Sequence, residues 1–277
     1  MPSLDPTKTA ALRRRYTQAM NRRFLELARD VRASFAVGAL TVNEAAGQGD
    51  FDRPTLTQRV QAFRAWLQAQ IGSTILELAT PFLQRIRGHW QERFIQAAYL
   101  RGITSVESEL RAAGELSAPV PSIEVALRSG IHKETLDLMN ARVFEGLRGI
   151  TDDMAAKLSD IFSRALIEGV GTGVIAKRIT DEIRSISKRR AMVMARTEIV
   201  RVYSESRLNT MERNSVGGVT AEVEAVFTTA GDARVCQICT DLSGKTYTIQ
   251  EARGIIPRHA QCRCTWQSVL KENRSAA

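Results

Sequence analysis

The sequence predicts a mainly α-helical protein, with multi-helix N-terminal and central regions and a small C-terminal α+β module. Three observations predict it. Before Gly217, apolar residues recur at steps of three and four, the period of a helix with one buried face. After Gly217-Gly218 the period drops to two, the mark of a half-buried strand. All four cysteines fall within one late stretch, as Cys236-Gln237-Ile238-Cys239 and Cys262-Arg263-Cys264.

Residues 8–35 read as one amphipathic helix, with Leu12, Tyr16, Ala19, Met20, Phe24, Leu27, Ala28, Val31 and Phe35 in a single stripe. Arg13, Arg14, Arg15, Arg22 and Arg23 fall on its other faces. Such a face either contacts a polyanion or an acidic partner, or is solvated and serves solubility alone. Residues 38–53, with Gly, Asn and Asp, predict a loop. A second helix starts after Pro54 and carries Leu56, Val60, Phe63, Leu67 and Ile71. A third begins near Thr80, where Pro81 suits a first turn, and carries Phe82, Ile86, Trp90, Phe94 and Ala97. Aromatics at that spacing, Trp66 and Trp90 among them, predict core and not base-stacking surfaces.

The Gly-, Ser- and Pro-containing stretch 114–122 is the best linker in the chain. It divides an N-terminal helical region, 1–113, from a C-terminal domain, 123–277, made of helices over 123–213 and a cysteine-rich module over 214–270. Helices are expected over Ile123–Leu147, with an interruption at Gly130, and from a Thr151 or Asp152 cap to Glu168. Gly169-Val170-Gly171-Thr172-Gly173 follows a helix and not a strand, so it reads as a helix end and turn, not a phosphate loop. Val174–Ser187 forms the next helix, ending in Lys188-Arg189-Arg190. The longest spans about 190–213, with Ala191, Met194, Ala195, Ile199, Val202 and Tyr203 on one face. Glu198, Arg201 and Glu205 are spaced to pair along a polar side, so Glu198 reads as an ion-pair member and not a catalytic acid. Val219, Ala221, Val223, Ala225 and Phe227 alternate as a strand, and Tyr247-Thr248-Ile249 and Thr265–Val269 supply short partners.

A Cys-x-x-Cys turn brings two thiolates toward one ion, and His259-x-x-Cys262-x-Cys264 adds three more donors. Cys236, Cys239, His259, Cys262 and Cys264 thus compete for four tetrahedral positions around a structural zinc, which makes the module zinc-ribbon-like. A disulfide pair and inert packed thiols are the rival readings. Iron is the rival metal. So small a sheet has few apolar residues to bury, and structural zinc contributes about 10–16 kcal/mol in small zinc modules. A catalytic metal would call for an acidic–His pair on a second ion, and none is present. His89 and His132 stand alone in helical patterns and read as packed or solvated. With no activated nucleophile, no paired acids and no cofactor fingerprint, the residues predict a binding or structural protein and not an enzyme.

The 277 residues are 44% apolar and 25% charged, which suits a globular protein with a real core. No apolar run reaches membrane-spanning length, and residues 1–5 lack the apolar core of a secretion signal. The formal charge of +9 favours polyanionic surroundings, nucleic acid foremost, although the excess is spread along the chain.

Asp232-x-x-Val235-Cys236-x-x-Cys239, Leu242-x-Gly244 and Pro257-x-His259-x-x-Cys262-Arg263-Cys264 resemble the C-terminal signature of the phage Mu F-like minor head proteins. Ala195-Arg196-Thr197-Glu198, Asn209 and the Gly169–Gly173 turn fit the same family, so the likeness covers about residues 123–270. The Asp5-Pro6-Thr7 opening and Arg-rich first helix are similar in character to minor head proteins of this group. The resemblance implies a minor structural protein of a tailed-phage head, made in the host cytoplasm and carried in the head interior or at the portal vertex. Its partners would be the portal protein, the major capsid or scaffold protein, and packaged DNA bound without sequence specificity. Arg13, Arg14, Arg15, Arg22, Arg23, Lys188, Arg189 and Arg190 are the candidates for those contacts. Some members carry toxin-like enzymatic domains after this signature, and the seven residues beyond Leu270 leave no room for one. The alternative is a zinc-ribbon nucleic-acid-binding regulator, which would read duplex sequence with its C-terminal module and would not need so large a helical part.

Overall fold

The computed structural model describes residues 5–37, 54–78, 88–115, 130–217 and 223–270. In chain order the elements are α1 (Ala10–Ala36), α2 (Leu56–Thr74), α3 (Glu92–Ala112), α4 (Gly130–Ile167), α5 (Thr172–Ile186), a π-helical turn (Ser187–Ala191) and α6 (Met192–Gly217). Then come β1 (Val223–Thr228), the single turn α7 (Gln237–Thr240), β2 (Thr246–Tyr247), the single turn α8 (Ile249–Ala252) and β3 (Thr265–Leu270). The protein is therefore mainly helical with a small antiparallel sheet near its C-terminal end, of order β2-β1-β3.

Two compact units result, and each draws on separate stretches of chain. The first is Met1–Tyr16, Trp90–Val143 and Val193–Ala277; the second is Thr17–His89 and Phe144–Met192. Both take residues from either side of the 114–122 stretch, of which residues 116–122 lie outside the described ones.

In the second unit, the stripe of α1 is buried as its spacing requires, with Met20, Leu27 and Val31 fully covered. Phe63 of α2 stacks on Phe162 of α4 at 4.4 Å between ring centroids, and Phe35 leans on both. The start of α2 is fixed by a reciprocal capping box: the Thr55 hydroxyl accepts from the Gln58 N–H, and the Gln58 side chain accepts from the Thr55 N–H. Leu56, expected in the core, is instead exposed, because it sits in the first turn ahead of the buried Phe63-Leu67-Ile71 stripe.

Two helix boundaries differ from expectation. The helix predicted from Thr80 through Ala97 starts at Glu92, after a turn at Gly88–Gln91; residues 79–87 lie outside the described ones. Gly88 there takes a φ of 97°, which is not helical and which glycine adopts without a Cβ clash. Trp90 still packs in the core, against Tyr16 and Phe94, as its size demands. In the other direction, the break predicted near Thr151 does not occur, and α4 runs unbroken for 38 residues. The Thr151 hydroxyl donates back to the Arg148 carbonyl at 2.8 Å, so it is satisfied inside the helix and has no capping task. Leu147, Met154 and Leu158 continue one buried face through that point.

The Gly169–Gly173 stretch is a helix end and turn, with Gly169 at φ 67° and the Val170 N–H reaching the Ala165 carbonyl at 3.3 Å. The boundary at Lys188-Arg189-Arg190 becomes the π-helical turn, which joins α5 to α6 with no intervening loop. Its geometry buries Ser187 and Ala191 while turning the three basic residues outward. The Ser187 hydroxyl donates to the Asn21 side-chain oxygen of α1 at 2.9 Å.

In the first unit α3 and α6 approach so closely that a Cβ on Gly102 would sit 2.6 Å from Ser206 Oγ and 2.8 Å from the Tyr203 carbonyl. α6 is covered nearly all round, burying the predicted Ile199, Val202 and Tyr203 together with Ser204, Ser206, Arg207, Asn209 and Thr210. Ser206, Arg207 and Asn209 bond across to α3, Thr210 bonds back to the Ser206 carbonyl within α6, and Ser204 Oγ has no protein partner among the described residues. Asn209 donates to Tyr99 Oη at 3.0 Å and to Thr135 Oγ1 at 2.8 Å, and accepts from Arg253 at 2.9 Å. His132 is fully buried beside Tyr99 Oη, 2.8 Å away, and burial lowers its pKa to about 4.

β1 pairs with β3 along its whole length, from Val223 opposite Leu270 to Thr228 opposite Thr265. Residues 219–222, where the strand was expected to begin, lie outside the described ones. Ile249, expected in a strand, instead opens α8, because Thr248 forms a capping box with Glu251. The sheet has more apolar support than its own residues suggest. Val223, Ala225, Phe227 and Trp266 join Val106 and Leu110 of α3 and Val200, Leu208 and Met211 of α6 in one core. Glu109 of α3 clamps the sheet, accepting from Ser268 N–H at 3.1 Å and hydroxyl at 2.6 Å, and from Arg207 at 2.5 Å.

Candidate metal centre

Two turns, each closed by a hydrogen bond from the N–H of its fourth residue to the carbonyl of its first, carry the candidate donors. In the first, Cys236 precedes α7 and the Cys239 N–H bonds to the Cys236 carbonyl at 3.1 Å. In the second, the Cys262 N–H bonds to the His259 carbonyl at 3.2 Å. Gln261 between them takes a φ of 63°, and its N–H donates to Thr197 Oγ1 of α6 at 3.1 Å. Arg196 reaches the Gln261 side-chain oxygen. The Ala195-Arg196-Thr197 segment thus anchors the second turn to the longest helix of the first unit.

Asp232 and Arg263 tie the two turns together. Arg263, between the last two cysteines, donates both arms to the Asp232 carboxylate, one of them at 2.7 Å. Arg234 adds a pair at 3.0 Å. The Arg263 hydrogen bonds, then those of Arg234, hold the Asp232 carboxyl well below the usual carboxylate range. Sequence reasoning noted Asp232 as part of a motif but missed this link. An acid four residues before the first cysteine and an arginine between the last two were its signal.

The five sequence-predicted donors come together. Cys236, Cys239 and His259 place their ligating atoms within 4.8 Å of one another, and so do Cys239, Cys262 and Cys264, with Cys239 common to both groups. His259 Nδ1 lies 2.8 Å from the Ala260 carbonyl, which accepts only, so Nδ1 carries the proton and Nε2 presents its lone pair. That lone pair faces Cys236 Sγ at 3.2 Å and Cys239 Sγ at 3.4 Å. In a tetrahedral zinc site with Zn–S about 2.3 Å and Zn–N about 2.0 Å, neighbouring N and S ligands stand about 3.5 Å apart. A backbone carbonyl on the far ring nitrogen is also the usual support of a ligating histidine.

The thiols differ in how readily they ionise. Burial, and next the charge of Cys262, push the Cys239 thiol up to about 12. Its hydrogen bond to Cys262, and then burial, push Cys264 higher still. Cys236 is drawn down, first by the Cys239 N–H. At His259 partial burial opposes protonation, but the Ala260 carbonyl and the thiolates outweigh it and raise the pKa. Three buried sulfurs this close cannot all ionise in isolation; a divalent ion removes the repulsion and displaces their protons. The cluster can hold a metal ion. The four cysteines are free thiols, not disulfides.

The predicted basic contacts divide between the two units, Arg13, Arg14 and Arg15 in the first and Arg22, Arg23, Lys188, Arg189 and Arg190 in the second. Arg13 is nearly buried and bonds Asp5, Thr7 and Thr9 at the start of α1, so its task is local. Arg23 pairs with Glu77 at 3.0 Å. Arg14, Arg15 and Arg22 are exposed, as are Lys188, Arg189 and Arg190, of which Arg190 pairs with Asp153 at 2.8 Å. Glu198 pairs with Arg201 and Arg142. No helix among the described residues is long and apolar enough to cross a membrane.

Residues 156–267 match the family described as Phage Mu protein F like protein. No curated protein and no solved structure matches the chain. The match runs from within α4 through α5 and α6 to the cysteine turns and the first half of β3. Over these residues the protein is similar to the phage Mu F-like family.

Proposed function

We propose that the protein is a minor, non-enzymatic structural component of a tailed-phage head, acting in procapsid assembly at the portal vertex. The family match over 156–267 is the observation that carries this reading. The portal protein and the major capsid or scaffold protein are its expected protein partners. Packaged DNA is contacted without sequence reading, through exposed cations such as Arg14, Arg15, Arg22, Lys188 and Arg189. Each phosphate neutralised releases counterions and needs no base contact. One zinc ion, held by four of Cys236, Cys239, His259, Cys262 and Cys264, supplies no chemistry beyond joining the two turns.

The regulator reading has less support. Residues 223–270 carry five basic against four acidic side chains, and Arg234, Arg253 and Arg263 are already in ion pairs. A duplex-reading module needs a surplus of free cations. The test is mass spectrometry of assembled heads together with affinity capture on the portal protein. Presence in heads and retention on the portal are expected. Absence from heads, with sequence-selective duplex binding by the full chain, would replace this reading by the regulator.

A further inference from the structure

We infer that a cleft in the first unit, lined by Lys8 and Arg101, binds the phosphodiester backbone of duplex DNA. The inference rests on the DNA contact of the reading above and gives that contact a further, defined place. The cleft has a volume of about 270 Å³. Besides the two cations it is lined by hydroxyl side chains, Thr104, Ser105 and Ser108 of α3 among them, and by no carboxylate among the described residues. Cations and hydroxyls together are the usual side-chain donors to phosphate oxygens.

The fold sets the two cations side by side. The Arg101 guanidinium donates to the Lys8 carbonyl, which ties α3 to the segment before α1. Both residues are exposed, and neither pairs with an acid among the described residues. The acids that bond to cleft residues are committed to other arginines. Asp5, which accepts from the Thr7 hydroxyl, pairs with Arg13 at 2.9 Å. Glu109, 3.4 Å from Ser105 Oγ, pairs with Arg207 at 2.5 Å. Two like charges held together in this way leave a local positive field that an anion satisfies.

The backbone at Lys8 adds a second, independent observation. Its φ of 51° lies in the left-handed region, which non-glycine residues enter rarely and often at functional sites. Its flanks hold it there. Thr7 and Thr9 are fully buried with their hydroxyls 2.7 Å apart, Arg13 donates to both, and the Lys8 N–H bonds to the Asp5 carbonyl at 3.0 Å. Glycine would take this position without strain. What lysine adds is an exposed charge at the cleft. Ser105 is also set to donate. Its oxygen accepts from Tyr203 Oη at 3.2 Å and from Arg207 at 2.5 Å, which uses both lone pairs. Its proton is left with a long contact to Glu109 or with an anion in the cleft.

Fluorescence anisotropy of the full chain with a labelled mixed-sequence duplex, repeated over a range of salt, tests the assignment. Lys8→Gly with Arg101→Gln removes both charges, relieves the φ of residue 8 and keeps a side-chain N–H for its carbonyl. Arg148→Ala with Arg164→Ala removes the same charge from exposed pairs on α4 and serves as the control. The slope of log affinity against log salt should shrink by about 2 in the cleft variant and stay unchanged in the control, with the thermal midpoint of the cleft variant not lowered. Arg101→Gln alone should shrink it by about 1, which keeps the test open if the double variant fails to fold. An unchanged slope in the cleft variants, or an equal fall in the control, would overturn the cleft while leaving the head-protein reading intact. Binding of polyglutamate in place of the duplex would overturn it in favour of an acidic protein partner. Absence from heads with the slope change intact would remove the head reading and leave the cleft.

Discussion

The helices of the second unit and the cysteine turns of the first are held together in opposite ways. In the second unit, long helices bury continuous apolar faces, and Phe35, Phe63 and Phe162 fill the space between them. Removing any one contact there leaves many others. The turns at 232–240 and 257–264 have short elements and few side chains to bury, and they depend on the Asp232–Arg263 pair, the Thr197–Gln261 anchor and the shared donors. The sheet beside them stands between these extremes, because α3 and α6 lend it a core. A region with a broad apolar face is insured by redundancy; one built on a few directional contacts rises or falls with each.

Metal removal should separate the two most sharply. Chelation, or Cys236→Ser with Cys239→Ser, is expected to abolish hydrogen-exchange protection across residues 232–264 while leaving α1, α2 and α5 protected. Equal loss in both regions would mean that the turns and the helices form one cooperative system. Protection unchanged in both would mean that packing alone holds the turns.

Trp266→Ala comes next. The ring is fully buried, 5.5 Å from the centroids of both Phe227 and Tyr247. A cost of about 3–5 kcal/mol in denaturant unfolding of the zinc-loaded protein is expected for a void of that size. A cost well under 1 kcal/mol would show that the metal and not the core carries the sheet. The smallest effect belongs to the second unit. Thr55→Ala removes half of the α2 capping box and should cost about 1 kcal/mol, with zinc stoichiometry unchanged. A change in metal content on that substitution would contradict the independence of the two regions.

Helix periodicity alone located the stripe of α1, the buried face of α6 and the change to strand after Gly217, since each is a local consequence of which residues must leave water. The five donors were legible for the same kind of reason: ligand chemistry is written in residue type and spacing. Local signals misled where a residue had two uses. Thr151 resembles a cap, yet it bonds back within α4 because the helix beyond it has a face to bury. Ile249 resembles a strand residue, yet the Thr248–Glu251 box turns it into α8.

What the sequence by itself determined was therefore the helical class, the late strand region and the set of donors that come together as a candidate metal cluster. Only the tertiary structure decided that each compact unit draws on separate stretches of chain, that Gly102 admits α6 against α3, and that Arg13 serves Asp5. It also joined Asp232 to Arg263 across the loop and set Thr197 beneath Gln261. Periodicity and spacing report what one element needs to bury or bind, whereas the choice of partner depends on which surfaces meet, and that is a property of the folded chain as a whole.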